Sequence, residues 1–575
     1  MRKKLLLGLA ISLGLSTTTI SQERFMDEVF SDAEIMVMKD QPYSVNVNWL
    51  LSDFTNQAAV GADLTDLQTI AATTGQYPQK YFYPNGANPA LDSTSVKISV
   101  QTMDVYMPIP GSVDTMAMRP VVFYAHTGNF LPKGINGQPT GDKNDSAAAE
   151  ICRQFAKRGY VAIAVNYRLG WNPISQDLDV RTGTLLNAVY RSIHDMKQAV
   201  RVAKKTTLGG NPFAIDPNKT MIFGQGSGGY VSLAYGSMTR TAELELDKFL
   251  DVNGASYINQ GLVGGLDGYG GLANLYQDTF SSVGITSDVM MTVNAGGALA
   301  DISWIEAGEP AIVSVHSIRD PYAPFDTGTV IVPGLGYPVV DVNGPGTFMS
   351  KVNSLGNNDA FLDLYTQDAY TAAARSRYGE TFDYIYANRP TVTLDANIDG
   401  AFPMLLPLGA SLSQNIGAPW EWWSLPDLLA LEAYYASVGQ TINAAQIDSN
   451  SLFGNPEGHN KNSALVYIDT VHNYIAPRIM KVLQIGGWEA LAVNEVRVND
   501  VFSIAPNPAS ELVTITSKGG NVNAVSVYDM TGKLIFTRTS SVPTLTINVN
   551  DLPKGVYIIN VETENGQNVE KLIIE

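Results

Sequence analysis

The sequence predicts an α/β protein with a mostly parallel sheet, followed by a small antiparallel β-sandwich. From about residue 119 to 484, short apolar runs rich in β-branched residues alternate with amphipathic helical patterns. That alternation is typical of parallel strands covered by helices on both faces. From about residue 501 to 575, short strand-like segments alternate with Gly, Pro and Asn turns, which is typical of a sandwich. We therefore expect two domains of different class.

The N-terminus resembles a secretory signal peptide over residues 1–22. Arg2, Lys3 and Lys4 precede an apolar run, and small residues form a cleavage site before Gln22. We expect this segment to direct export to the periplasm. No later run is apolar for the length that a membrane helix requires, so no transmembrane segment is predicted.

Three further segments flank or interrupt the predicted α/β region. Residues 23–118 form an irregular, polar N-terminal elaboration that closes with a strand-like pattern leading into the sheet. Residues from about 325 to 455 form a long insertion, and residues 485–500 form a linker. Insertions of this size commonly form a lid over a pocket, and Trp420, Trp422 and Trp423 lie in this one.

The composition argues against nucleic-acid binding and metal chemistry. The formal net charge is -18, whereas phosphate binding needs concentrated Lys and Arg. The single cysteine, Cys152, lies in an amphipathic helical pattern that favours a buried, inert thiol. Asp142 and Asp145 share a Gly- and Asn-rich loop but lack the spacing of a calcium loop. We expect no metal and no cofactor.

The C-terminal motifs identify an export signal. Pro506-Asn-Pro-Ala509, Tyr528-Asp-Met-Thr-Gly-Lys533, Leu552-Pro-Lys-Gly555 and the terminal Glu570-Lys-Leu-Ile-Ile574 resemble the type A sorting domain of the type IX secretion system. Such domains occur in cargo that crosses the outer membrane of Bacteroidota. The resemblance implies the type IX machinery as a partner and a secreted or outer-surface location.

Ordered motifs in the α/β region resemble carboxylesterase-type α/β-hydrolases. His126-Thr-Gly-Asn-Phe130 is similar to the oxyanion loop, and Gly224-Gln-Gly-Ser-Gly-Gly229 is similar to the nucleophile elbow. Val165-Asn-Tyr-Arg-Leu-Gly170, at the end of a predicted strand, resembles the NYRLG element of carboxylesterases. The resemblance implies an α/β-hydrolase fold, with the amides of Gly128 and Asn129 holding an oxyanion. It also implies Asp320 as the triad acid and His459 as the triad base.

The elbow departs from the family at its central position. Gly226 stands where the family has its catalytic serine, and Ser227 follows it. Thr127 and Ser317 likewise replace expected glycines in the oxyanion and acid loops. We therefore predict an exported, hydrolase-derived protein with a degenerate site that serves binding or structure.

Two alternatives remain open at this point. In the first, the protein is an active secreted esterase in which Ser227 attacks a small ester, which requires the turn to shift by one residue. In the second, the protein assembles with copies of itself on the cell surface. The sequence does not decide whether the chain is an enzyme.

Overall fold

A computed structural model describes residues 23–82, 94–362, 364, 369–386, 389–409, 415–450, 461–488, 502–529, 533–564 and 566–575. The chain divides into two compact units, Met1–Leu491 and Ala492–Glu575. Each unit is described separately below. The predicted signal peptide and His459 lie outside the described residues.

The first unit is built on an eight-stranded sheet with the strand order β1-β2-β4-β3-β5-β6-β7-β12. Strands β1, β2 and β4 pair antiparallel, and all further neighbours pair parallel. This order and the predominantly parallel pairing are those of an α/β-hydrolase, as predicted. The strands of this unit are β1 (Ile35–Val47), β2 (Ile98–Pro108), β3 (Arg119–Ala125), β4 (Val161–Val165), β5 (Ile215–Gln225), β6 (Met291–Ala295), β7 (Ala311–Ser317), β8 (Thr327–Ile331), β9 (Pro338–Asn343), β10 (Thr381–Tyr386), β11 (Arg389–Thr393) and β12 (Ala401–Met404).

Helices cover both faces of the sheet, which explains why its central strands are apolar along their whole length. Every residue of β3, β4, β6 and β7 is buried. Helices α3, α4 and α6 contribute to the core on one face, and α2 and α10 to the core on the other. The helices are α1 (Gln57–Thr73), α2 (Ser146–Lys157), α3 (Leu178–Lys205), α4 (Ser227–Ser237), α5 (Gln260–Val263), α6 (Pro345–Ser354), α7 (Ala369–Arg375), α8 (Leu425–Ser437), α9 (Ala444–Asn450) and α10 (Lys461–Leu483).

The segment expected as one insertion, residues 325–455, contains a strand of the main sheet. Strand β12 pairs with β7 at the sheet edge, so two excursions replace the single one. An edge position also accommodates Pro403, because proline cannot donate to a central ladder. The first excursion holds the antiparallel hairpins β8–β9 and β10–β11, and the second holds α8 and α9.

The N-terminal elaboration is more regular than its sequence suggests. Strand β1 runs for 13 residues beside β2, and α1 packs its buried Val60, Leu64 and Leu67 into a separate small core. The sheet therefore begins inside this segment. Across the described residues, no helix combines the length and apolarity needed to cross a membrane.

The second unit consists of two antiparallel sheets, as predicted for the sandwich. One has the order β13-β14-β17 and the other β16-β15-β18-β19. Its core is formed by alternate residues of these strands, among them Val513, Ile515, Val525 and Val527. The strands are β13 (Phe502–Ala505), β14 (Leu512–Ser517), β15 (Val522–Tyr528), β16 (Leu534–Val542), β17 (Thr544–Asn548), β18 (Gly555–Thr563) and β19 (Gly566–Ile574).

Candidate functional site: a cavity at the strand-to-helix turn

The turn between β5 and α4 has the geometry of a nucleophile elbow. Gly226 alone connects the last residue of β5 to the first residue of α4, with φ 55° and ψ -118°. Side chains disfavour this conformation, which is typical of the strained turn that carries a hydrolase nucleophile. The Gly226 N–H donates to the Ala295 carbonyl at 2.8 Å, which fixes the turn against β6. The elbow is present without a side chain at its tip.

Thr127 occupies the space into which a side chain at position 226 would project. A Cβ built on Gly226 would lie 2.9 Å from the Thr127 Cβ and closer still to Thr127 Oγ1. Carbon atoms at ordinary contact distance are 3.5–4.0 Å apart, so the two groups cannot coexist without movement. The threonine in the oxyanion loop and the glycine in the elbow are therefore complementary changes.

Ser227 is the first residue of α4, and its side chain is buried. Its Oγ lies 3.5 Å from the hydroxyl of Tyr167, which donates to the His126 carbonyl at 2.5 Å. Burial raises the pKa of Tyr167, so this phenol is protonated at neutral pH. In the part of the chain with described side chains, no imidazole or carboxylate is hydrogen bonded to Ser227. Among the described side chains, the hydrogen-bond contact of its hydroxyl is with the Tyr167 phenol.

The oxyanion loop folds into three successive left-handed residues. Gly128, Asn129 and Phe130 have φ values of 122°, 55° and 56°. The carbonyl of Asn129 accepts from the Trp171 indole at 2.7 Å, and that of Phe130 accepts from the Gly170 N–H at 2.8 Å. These bonds hold the loop in place through its carbonyl groups.

The same loop leaves N–H groups available at the cavity. Among the described residues, the backbone N–H groups of Gly128, Asn129 and Ser227 have no hydrogen-bond acceptor. All three residues line the cavity beside the elbow. Free backbone N–H groups at a cavity wall are the kind of donor that binds a carbonyl oxygen or an oxyanion.

Asp320 lies in the loop that follows β7, and it is 3% exposed. Its Oδ1 accepts from the N–H groups of Tyr322 at 2.8 Å and Ala323 at 2.9 Å. Its Oδ2 lies 3.7 Å from Nε2 of His316, which donates to the Ala323 carbonyl at 2.9 Å. Burial raises the pKa of Asp320 to about 7 and lowers that of His316 to about 4. The acid is thus held at the cavity wall beside a neutral imidazole.

The triad base predicted from the sequence, His459, lies outside the described residues, and helix α10 begins at Lys461. His472, within α10, packs edge-on against Phe155 with ring centroids 4.4 Å apart, so it belongs to the core. The other predicted site residues, which are Gly128, Asn129, Gly226, Ser227 and Asp320, line one cavity.

The cavity has a volume of about 200 Å³. One wall of the cavity is polar and consists of the oxyanion loop, the elbow and the loop that holds Asp320. The remaining walls are mostly apolar and come from α3, α4 and the β8–β9 hairpin, including Leu186, Val189, Ile193, Ala234, Met238 and Val340. A cavity of this kind suits a small molecule with a polar end and an apolar body.

Sequence reasoning missed a second carboxyl group in this cavity, Glu421. Its Oε1 accepts from Gln225 Nε2 at 2.9 Å, and Gln225 directly precedes the elbow glycine. Burial, followed by the nearby charges of Asp145 and Asp320, raises the pKa of Glu421 to about 8. The available signal was a lone acidic residue among the tryptophans of the insertion.

The three tryptophans of the insertion divide between two roles. Trp423 lines the cavity, whereas Trp420 and Trp422 belong to the core on the sheet face covered by α2 and α10. Trp420 also packs close to Gly296, a cavity residue at the end of β6. The insertion therefore lines the cavity and extends the core at the same time.

The loop that holds Asp142 and Asp145 forms an ion pair with Lys133. Asp145 lies 2.7 Å from the Lys133 ammonium group, which also contacts Asp142 at 3.3 Å. Within the described ranges, no group of three or more His, Cys, Asp or Glu residues is arranged to hold a metal ion. Cys152 is fully buried, and burial raises the pKa of its thiol well above the ordinary value.

Comparison with known proteins identifies the C-terminal unit. Residues 503–575 match the family model described as the secretion system C-terminal sorting domain. An endo-acting ulvan lyase of Formosa agariphila is 33% identical over 94 residues, which are 15% of this chain and 18% of that enzyme. The second unit is thus a type IX sorting domain, which indicates secreted or cell-surface export.

Solved structures similar to this chain include α/β-hydrolase esterases. Propionate-bound esterase 2 of Thermogutta terrifontis is 17% identical, with a TM-score of 0.23, over 39% of this chain and 70% of that chain. MGS-M1, an α/β-hydrolase from a Medee basin deep-sea metagenome library, is 13% identical, with a TM-score of 0.22, over 39% and 66%. The strand order and the elbow place this protein in the same fold class.

Proposed function

We propose that the protein is an exported binding protein that holds a small, mostly apolar molecule in the elbow cavity without hydrolysing it. The observation that carries the proposal is the position of Thr127. Its side chain fills the space in which an elbow nucleophile would stand, beside a glycine that supplies none. The site retains the shape of a hydrolase pocket and lacks the reactive group.

The neighbouring serine does not compensate in this proposal. A serine attacks only when a general base lies within hydrogen-bond reach of its hydroxyl. The hydroxyl of Ser227 instead faces that of Tyr167, a protonated phenol that already donates to a carbonyl. Loss of a triad serine typically lowers kcat by about 10⁶. We therefore assign Gly226 and Ser227 to the backbone geometry of the pocket.

The features needed for binding remain. The N–H groups of Gly128, Asn129 and Ser227 offer donors to a ligand oxygen, and the walls formed by α3 and α4 offer apolar surface. Burial of apolar area contributes roughly 25 cal/mol per Å², so a short chain or ring supplies most of the affinity. Asp320 contributes a polar contact in place of its ancestral role in a triad.

The location of binding follows from the sorting domain. We propose that residues 1–22 direct passage into the periplasm and that the C-terminal unit engages the type IX machinery for outer-membrane transfer. The cavity would then meet its ligand outside the cell or on its surface. The ligand is a small ester or another molecule of similar size that is present there.

Two measurements on the purified protein test the absence of catalysis. The protein is incubated with p-nitrophenyl butyrate and with a fluorophosphonate that labels reactive serines. We expect no labelled serine and no difference in turnover between wild type and Ser227→Ala. Label on Ser227, with turnover abolished by Ser227→Ala, would establish the esterase alternative instead.

Binding is tested by calorimetric titration with 1-hexanol, which offers an apolar chain and one hydroxyl. Ala234→Phe fills the cavity, and Ala436→Phe places the same side chain on the exposed face of α8 as a control. We expect binding to wild type and to Ala436→Phe and its loss in a folded Ala234→Phe variant. Equal behaviour of the two variants would exclude the elbow cavity as the binding site.

A further inference from the structure

A second cavity, with a volume of about 210 Å³, lies where the N-terminal elaboration meets the α/β core. Its walls come from strand β2, from the loop between β3 and α2, and from the residues that follow β1 and β4. Among the described residues, none lines both this cavity and the elbow cavity. The two cavities are therefore separate, and the elaboration builds one side of the second.

Three polar residues of this cavity lie side by side at the ends of neighbouring strands. His126, Asn166 and Thr102 each adjoin the last paired position of β3, β4 and β2, in a register that runs across the three strands. The Asn166 N–H donates to the Thr102 carbonyl at 3.0 Å. Neighbouring strands are about 4.8 Å apart. A molecule the size of one six-membered ring therefore spans this row.

His126 offers an acceptor to such a molecule. Its Nδ1 donates to the Thr127 carbonyl at 2.6 Å. Burial lowers the pKa of His126 to about 4, so the ring is neutral at neutral pH and its Nε2 carries a lone pair. The residue is 1% exposed, and no group in the described part of the chain is hydrogen bonded to Nε2. A buried acceptor in this state is completed by what occupies the cavity.

Asn166 and Thr102 add hydrogen-bond donors. The Asn166 Oδ1 accepts from the Lys143 N–H at 2.8 Å, and across the described residues its Nδ2 has no acceptor. The Thr102 hydroxyl likewise has no partner among the described residues. A hydroxyl group both donates and accepts, so hydroxyl groups match this mixed row of donors and acceptors.

The charged residues that line the cavity are already paired. Arg168 lies 2.8 Å from Asp195, and Asp142 lies 3.3 Å from the Lys133 ammonium group. A charged ligand would compete with these pairs or lie without a counter-ion, and an unpaired buried charge is costly. The cavity therefore favours a neutral ligand.

Apolar side chains lie beside the polar row. Leu50 and Val100 line the cavity and are 38% and 48% exposed, so both reach the surface of the protein. An apolar cavity of about 150 Å³ holds benzene, and this cavity has about 210 Å³. A six-membered ring with several hydroxyl groups matches that volume and presents C–H groups to the apolar rim.

We propose that this second cavity binds a neutral, hydroxyl-rich six-membered ring such as a monosaccharide. The hydroxyl groups of the ring bond to His126, Asn166 and Thr102. The C–H face of the ring lies against Leu50 and Val100. Binding here goes beyond the function proposed for the elbow cavity and is independent of it.

The test uses the neutral rings D-glucose, D-galactose, D-mannose and myo-inositol, with D-glucuronate and cyclohexanol as contrasts. Binding to the full-length protein at neutral pH is measured by ligand-observed NMR titration, and each contrast by its displacement of the tightest neutral ring. We expect at least one neutral ring to bind with a Kd on the order of 1 mM. The contrasts should displace it only at about tenfold higher concentration. If no neutral ring binds, or if either contrast displaces it equally well, the inference is wrong.

Paired variants locate the ring. Val100→Trp fills the cavity from its rim, and Val37→Trp places the same side chain at an exposed position of the neighbouring strand β1. We expect the first variant to lose binding and the second to retain it. Thr102→Val removes one hydroxyl and should weaken binding by about fivefold. Thr69→Val makes the same change at an exposed position of α1 and should have no effect.

The remaining outcomes separate the two cavities. Ala234→Phe, which fills the elbow cavity, should leave binding of the ring unchanged, and Val100→Trp should leave binding of 1-hexanol unchanged. If Ala234→Phe abolishes binding of the ring, the ring occupies the elbow cavity and the inference is wrong. If the ring binds as expected and hexanol does not bind, the inference stands and the function proposed for the elbow cavity fails. Should Val100→Trp fail to fold, unchanged binding in Thr102→Val would overturn the inference.

Discussion

Thr127 and Gly226 share one volume at the top of the central sheet, because a Cβ at position 226 would lie 2.9 Å from the Thr127 Cβ. The Thr127 side chain in the oxyanion loop occupies the space that a side chain at position 226 in the elbow would need. Replacement of either residue alone would therefore create a clash or a void. The two positions should be energetically coupled, which makes the relationship measurable.

Gly226→Ser should destabilise the fold by about 2–4 kcal/mol, since it combines left-handed strain with a clash against Thr127. Adding Thr127→Gly should recover about 1–2 kcal/mol, because only the clash is removed. Urea unfolding of wild type, both single variants and the double variant gives the coupling energy. Additive free energies of unfolding would contradict the shared volume.

A glycine elsewhere in the chain allows the backbone strain to be measured apart from the steric clash. Gly75 has φ 63°, and a Cβ there would meet no atom within 4 Å. Gly75→Ser should therefore cost only about 1 kcal/mol from backbone strain. The difference between this variant and Gly226→Ser approximates the steric part.

The contribution of Asp320 and Glu421 to stability should decrease as the pH rises from about 4 to about 8. Folding raises the pKa of Asp320 to about 7 and that of Glu421 to about 8, whereas both carboxyls titrate near 4 when unfolded. In this window the two carboxyls therefore bind more protons in the folded state than in the unfolded state. Their contribution to stability is fully present below the unfolded pKa values and is lost as the pH rises through the folded ones. Each group contributes up to about 1.4 kcal/mol per pH unit.

Glu421→Gln should flatten this dependence by about 1 kcal/mol per pH unit between pH 5 and 7.5, as measured by urea unfolding. Among the described residues, the ionisable groups near the two carboxyls include Asp145 and Asp320 beside Glu421 and His316 beside Asp320. Glu380→Gln is the matched control for net charge, and it should retain the wild-type slope. A steep slope in Glu421→Gln would assign the dependence to other groups.

The buried ion pair between Arg168 and Asp195 should be essential for folding. The Arg168 guanidinium lies 2.8 Å from Asp195, and both side chains are at most 2% exposed. Arg168→Met leaves a buried charge uncompensated and should lower the free energy of unfolding by about 3–5 kcal/mol. Lys80→Met, which breaks the exposed pair with Asp66, should change it by less than about 1 kcal/mol. Similar losses in both variants would refute this account.

Removal of residues 492–575 should stop export at the periplasm. The sorting domain forms its own compact unit with its own core, so the remaining chain retains its complete sheet. Cell fractionation and immunoblotting in a type IX-competent host compare the full chain with the truncated one. Equal amounts of both forms outside the cell would show that another segment directs transfer.

The fold was predictable where local pattern and topology agree. The apolar runs at β3, β4, β5 and β7 are long enough to be recognised without coordinates. Strand β12 was not, because a four-residue strand that contains Pro403 has no periodicity of its own and forms only by pairing with β7. Strand β1 was missed because its residues alternate irregularly around a bulge near Asp40.

The site was predictable only in part, because two of its features depend on contacts between distant segments. Thr127 and Gly226 each appear in the sequence as a departure from a motif, but their contact does not. Glu421 reaches the cavity through a long excursion after β12, and no local pattern indicates where its carboxyl group lies. Chain topology, which brings the insertion against the end of β5, supplies that information.

The hydrogen bond between Gln225 and Glu421 links the elbow to the segment that holds Trp420, Trp422 and Trp423. All three indoles are less than 10% exposed, so their emission depends on the packing around that carboxyl group. A ligand that alters this contact should alter that emission. Tryptophan fluorescence of the unlabelled protein is therefore the direct way to look for occupancy of the cavity.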